Sequence, residues 1–201
     1  MTGGRALRAE ILKLLSLPAT AFTLFGTLAV SAILATAFAR QGVSPVGYTQ
    51  AGFLVLGVIA VTSEYSGGQI HRTLTAMPRR ITLQLAKMAA LLIVAVPAAV
   101  LTALAGGPWS DAAGASAYLA LTTVFSAAVA TVVRWSVPAV AGLLGYYFIA
   151  GPLLRGRATF ADYLPDAASH DVRSLGGSAV VLGWALVAVG ISAITFHRRD
   201  A

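Results

Sequence analysis

ITLQLAKMAALLIVAVPAAVLTALA, residues 81–105, decides the fold class. It is one apolar run interrupted by a single charged side chain, Lys87, and a single proline, Pro97. A bilayer core is about 30 Å thick and takes about 20 apolar residues at a helical rise of about 1.5 Å each, so this run is long enough to cross. Pro97 removes one backbone hydrogen bond inside it and is the expected site of a kink.

Five more runs of the same kind lie around it, at residues 18–39, 46–62, 112–133, 137–154 and 176–196. Pro18 stands at a helix start and Pro138 in a first turn, where a missing N–H is harmless. The composition agrees: 58% of residues are hydrophobic and 10% charged, against about 25% charged in ordinary globular chains. The expectation is an all-α polytopic membrane protein, a single transmembrane domain over 1–201, with no soluble domain, fixed-period repeat or low-complexity tract.

Ahead of the first span, RALRAEILKLLSL (residues 5–17) sets Leu7, Ile11, Leu14 and Leu15 on one helical face. Arg5, Arg8 and Lys13 fall mostly on the other, with Leu12 intruding. This pattern reads as an interfacial helix lying on an anionic leaflet. The long span that follows fits an uncleaved segment better than a secretory signal.

The chain has no cysteine, hence no disulfide framework and no thiolate metal site. Its net charge is +7. The charge is dispersed between apolar runs rather than gathered on one surface, which speaks against nucleic acid and for positive-inside topology. With the N-terminus inside, ten of the fourteen basic residues fall on the inner side: Arg5, Arg8, Lys13, Arg72, Arg79, Arg80, Lys87, Arg134, Arg198 and Arg199. Both termini are therefore expected in the cytoplasm.

That orientation places one polar island, EYSGGQIHRTLTAMPRR (residues 64–80), on the cytoplasmic side. Ile70, Leu74 and Met77 recur at i, i+4 and i+7, an apolar ridge on a short amphipathic helix, while His71, Arg72 and Thr75 face elsewhere. Gly67 and Gly68 allow a sharp turn before it, and Pro78 ends it. A helix of this kind is either a passive interfacial anchor or a docking ridge for a partner's groove.

The island resembles the coupling region of ATP-binding-cassette type-2 permeases. In that family the second span commonly ends in Glu, followed by a glycine-containing turn, an Ile and a Leu about four residues apart, a Pro, an Arg, and a Lys entering the third span. Glu64, Gly67 and Gly68, Ile70, Leu74, Pro78, Arg79 or Arg80, and Lys87 match that order. Gln69 departs from it, where the family often has Thr. The basic N-terminal helix, six spans and a long outer loop at 155–175 agree, and Tyr163-Leu164-Pro165 is similar to an element common in that loop.

The resemblance implies a permease subunit of an exporter of drug-, peptide- or lipid-like cargo, in a bacterial plasma membrane. It implies a second permease chain, as a homodimer, and a separate ATPase subunit that holds the ATP and Mg. Glu64, Gly67, Gly68, Ile70, Arg72, Leu74, Met77, Pro78, Arg79 and Arg80 would form the coupling site. Glu64 would sit at the joint between span and helix, favoured there by the dipole at the start of the coupling helix. Capping that helix or pairing with a nearby Arg is its plainer role. Arg79, Arg80 and Lys87 would bond acidic ATPase residues, or else snorkel to lipid phosphate.

Other constellations carry less. No G-x-x-x-x-G-K-[ST] loop occurs, so the chain is expected to be no enzyme and to bind no cofactor or metal itself. His71 and His197 fall inside and His170 outside, so the three cannot share a metal. No acid or base falls in the middle of a span, unlike the usual proton-coupled transporter. Thr20, Thr23, Thr27 and Ser31, continuing from Ser16, make a hydroxyl stripe on the first span, which reads first as packing and second as a pathway or dimer surface. Gly142, Gly145, Tyr146 and Tyr147 on the fifth span carry the same pair of readings. Trp109, Trp135 and Trp184 suit a membrane-interface belt.

Two other classes stay open: a six-span substrate-binding subunit of a vitamin-type importer, and a non-transporting immunity or scaffold protein. The basic island favours the exporter subunit over both.

Overall fold

Leu17 alone separates the first two helices, α1 (Gly3–Ser16) and α2 (Pro18–Phe38). Its carbonyl accepts from the N–H groups of Thr20 and Ala21 at 3.1 and 3.2 Å. Pro18, with no N–H to lose, opens α2 at once. The computed structural model describes residues 3–38, 45–66, 80–107, 109–155, 157, 160, 163–166 and 175–199. Among the described residues five more helices follow: α3 (Val46–Ser66), α4 (Arg80–Gly106), α5 (Trp109–Val133), α6 (Ser136–Leu154) and α7 (Leu175–Arg199). α6 is α-helical to Gly145, π-helical over Tyr146–Ala150, and α-helical again to Leu154.

Six of the seven, α2 to α7, are long and apolar enough to cross a membrane. The chain is a multi-pass helical membrane protein. α3 continues to Ser66, about one turn beyond the expected boundary at residue 62, and α4 runs unbroken through Pro97.

Side-chain contacts fix the up-and-down order. Near one end, Glu64 late in α3 meets Lys13 of α1 and Lys87 early in α4. Gln84 of α4 meets Thr131 late in α5 and Ser192 late in α7. Toward the opposite end, Gln50 early in α3 meets Tyr118 of α5, and Phe38 stacks on Tyr48 at 5.3 Å. The first is the α1 end of the bundle and the second its far end.

α3, α4 and α5 form the middle of the bundle, with α7 on α5 and α6 against α3 and α5. Lipid tails are as apolar as leucine, so helices in a bilayer associate through close packing rather than hydrophobic expulsion. The core is accordingly built of small residues, among them Ala90, Ala95, Ala99, Ala115, Ala127 and Ala130. Gly57 lets α3 approach α5 most closely: a Cβ there would stand 2.2 Å from the Thr123 carbonyl oxygen and 2.1 Å from Ser126 Oγ. Phe22, Phe25 and Ile33 of α2, and Leu186, Val187 and Ile191 of α7, point outward, where lipid solvates them.

α1 is amphipathic as its sequence indicates, and its covered face is the expected one turned toward Glu10, so that Leu15 drops out of it. Ala6, Glu10 and Leu14 are buried, with Leu7 and Ile11 against the core. Leu15, expected on that face, is 61% exposed, and Lys13, expected opposite it, reaches into the bundle. The cause is a carboxylate waiting on α3.

Candidate functional site

Glu64 lies in the last turn of α3 and is 1% exposed. Its carboxylate accepts from two ammonium groups, one on each oxygen: Lys13 Nζ of α1 on Oε1 and Lys87 Nζ of α4 on Oε2. A carboxylate at a helix C-terminus faces the negative end of the dipole. Glu64 is therefore held against both its desolvation and its own helix by two cations from other helices. The partners are lysines, not the arginine weighed from sequence, and the residue ends α3 rather than opening a following helix.

Each partner has a positional reason. α1 is tied to α2 through one residue, which brings its last turn, and Lys13, beside the base of α3. Lys87 sits about two turns into α4, so its chain reaches back to α3 inside the bundle. It is bonded to Glu64 and buried, instead of extending to lipid phosphate. Glu10 joins as a second carboxylate, with Oε2 3.7 Å from Lys13 Nζ. Its pKa is held above the ordinary carboxylate value, first by burial and then by repulsion from Glu64, with Lys13 and Lys87 pulling the other way. The four side chains balance two acids with two bases.

The next residue of α3 makes a third tie. The Arg134 guanidinium lies over the Tyr65 ring, 5.5 Å from its centroid. Arg134 also has φ 66°, in the left-handed region. That backbone, with its N–H donating to the Ala130 carbonyl at 2.7 Å, ends α5 and lets the chain turn into α6 within two residues. The last turn of α3 thus touches α1, α4 and the α5–α6 turn.

Of the residues expected to couple, Gly67, Gly68, Ile70, Arg72, Leu74, Met77, Pro78 and Arg79 lie outside the described residues, as does the short helix expected there. Arg80 opens α4. The segment 67–79 is bounded by Ser66 and Arg80, so both of its ends lead directly into the Glu64–Lys87 pair.

The residues weighed as pathway or dimer surface lie on α2 and α6. Thr20 and Ser31 are buried and Thr23 and Thr27 half-buried. The Thr23, Thr27 and Ser31 hydroxyls donate to the carbonyls one turn back, at 2.8, 2.7 and 2.6 Å. Thr27 packs on Gly52 of α3, where a Cβ would come within 2.2 Å of its Oγ1. At Thr27 the stripe packs on α3. Gly142 lies on the exposed side of α6, and Tyr146, half-buried, donates to Asp166 at 3.0 Å.

No motif in the sequence marks Glu10 or Asp166, and Lys13 figures there only on the polar face of the first helix and in the inner charge. A helical wheel of α1 puts Ala6, Glu10 and Leu14 on one line, which was the available signal for a buried acid. Nothing in the local sequence marks Lys13 and Lys87 as partners of one carboxylate.

No protein-family model and no curated protein matches the chain. Among the described residues, no group of three His, Asp or Glu side chains could hold a metal ion.

Proposed function

We propose that this chain is the membrane-spanning permease subunit of an ATP-binding-cassette exporter, working as a homodimer with two separate ATPase subunits. One observation carries the reading: the segment 67–79, whose sequence spaces Ile70, Leu74 and Met77 at i, i+4 and i+7, is bounded by two span ends that a Lys13–Glu64–Lys87 cluster joins. A push on such a segment reaches α3 and α4 together, and α1 through Lys13. A segment serving only as an anchor has no use for a rigid, charge-locked base. The excess of basic residues on the same side supports a cytoplasmic location for it.

In this reading the ridge seats in a cleft of the ATPase, and ATP-driven closure moves the α3 and α4 bases as one body. The cargo is drug-, peptide- or lipid-like, and ATP and Mg belong to the partner. The test is a mild-detergent pull-down of the tagged chain from its native membrane, beside the Ile70→Asp/Leu74→Asp variant. An ATPase that co-purifies with the parent and is lost from the variant is the expected result. Absence of any ATPase, under conditions that keep other membrane complexes whole, overturns the reading.

A further inference from the structure

The far end of the bundle holds a buried carboxylate of its own, on a short segment that touches two helices. Asp166 is 1% exposed. Its Oδ1 accepts from the Tyr146 hydroxyl at 3.0 Å, and its Oδ2 pairs with Arg155 Nη2, which also donates to the Asp166 carbonyl at 3.0 Å. The carboxylate rests on Gly151 so closely that a Cβ there would lie 2.2 Å from Oδ2. Tyr146, Gly151 and Arg155 belong to α6 and its immediate end, so successive turns of one helix hold a single acid.

The same segment is tied to α7. The Trp184 indole Nε1 donates to the Tyr163 carbonyl at 2.8 Å. Residues 163–166 therefore bridge α6 and α7, both of which pack on α5. The bridge meets α6 at an irregular place. Tyr146 begins the π-helical stretch Tyr146–Ala150, where the wider turn weakens the regular hydrogen-bond ladder and lets a helix bend. A carboxylate out of water needs charged and hydroxyl partners, and Arg155 and Tyr146 supply one of each to Asp166.

We propose that residues 163–166 are a strap across the far end, with Asp166 as its latch. When latched it holds the last part of α6, from Tyr146 to Leu154, beside α7. When released it lets that part pivot about the π-helical stretch. The strap stands on these contacts alone and does not depend on the permease reading.

The chain has no cysteine, so two introduced cysteines can be spin-labelled without background. Exposed positions Leu153 on α6 and Ala179 on α7 report the far end, and exposed Leu12 on α1 and Leu85 on α4 report the other. Pulsed distance measurements on the full chain in lipid nanodiscs are expected to give one narrow distribution for Leu153→Cys/Ala179→Cys. Asp166→Asn and, separately, Trp184→Phe should each add a longer-distance population there and leave the Leu12→Cys/Leu85→Cys distribution unchanged. Tyr146→Phe, which keeps the carboxylate and the packing, gives the same reading should Asp166→Asn not fold. An unchanged far-end distribution in these variants overturns the strap. So does broadening at both ends, which would make Asp166 a general stabiliser of the bundle.

Discussion

Glu64 and Lys87, 23 residues apart in sequence, form an ion pair out of water between the base of α3 and the base of α4. Such pairs gain little over apolar side chains of the same size, because desolvation offsets their attraction, yet removing one partner leaves a buried charge and costs about 3–5 kcal/mol. Glu64→Gln should lower stability by that order. Glu64→Leu combined with Lys87→Met should recover much of it, since Lys13, 22% exposed at its side chain, can reach water without Glu64. A double-mutant cycle by denaturant unfolding in mixed micelles checks this. Strictly additive losses would show that the two groups do not act as a pair.

Glu10 makes the seating of α1 depend on pH. Its pKa in the folded chain lies above the ordinary value of 4.5, chiefly through burial. As pH falls from neutral, the seated helix therefore takes up its proton before an unseated one does. Seating strengthens through that window, reaches its full strength below 4.5, and weakens as pH rises through the folded value. Glu10→Gln should seat α1 at neutral pH as firmly as acid does in the parent, and flatten the pH dependence. The mobility of a spin label at Leu12, followed against pH, reads it; a parent whose mobility rises on acidification would contradict the sign.

The six spans were legible because a bilayer imposes a length and a polarity that a single sequence displays. α3 runs about one turn past the expected boundary at residue 62, where Ser63 and Glu64 look like the beginning of a loop. The helix continues there because Lys13 and Lys87 meet the charge, from positions 51 and 23 residues away. Local pattern carries no trace of pairing over such distances. Local pattern does show Leu7, Ile11 and Leu14 on the covered side of α1; it does not show that Glu10 is buried with them, beside Ala6, or that Leu15 is left out.

Arg134 separates backbone strain from side-chain contact. The left-handed backbone costs a non-glycine residue about 1–2 kcal/mol, and the guanidinium over Tyr65 returns about 0.5–1 kcal/mol. Arg134→Ala keeps the strain and loses the ring contact, so it should destabilise. Arg134→Gly loses the contact but relieves the strain, and should exceed the alanine variant by about 1 kcal/mol. Unfolding midpoints of the two variants side by side decide it, and alanine proving the better residue would rule out the strained turn.

One substitution at two glycines should give opposite results. At Gly57 a methyl group would meet Ser126 Oγ at 2.1 Å, the Thr123 carbonyl oxygen at 2.2 Å and the Ala127 nitrogen at 3.1 Å. The serine hydroxyl can rotate away, but the backbone of α5 cannot, so α3 and α5 must separate. Overpacking of this kind costs about 1–3 kcal/mol. At Gly142 nothing lies within 4 Å of the added carbon, and the residue is helical and exposed. There Gly→Ala removes backbone freedom from the unfolded chain and should stabilise by up to about 1 kcal/mol. Thermal unfolding of Gly57→Ala and Gly142→Ala in the same detergent gives the comparison. A Gly57→Ala chain as stable as the parent would mean that α3 and α5 do not approach through Gly57, and the packing that positions Glu64 over Lys87 would have to be redrawn.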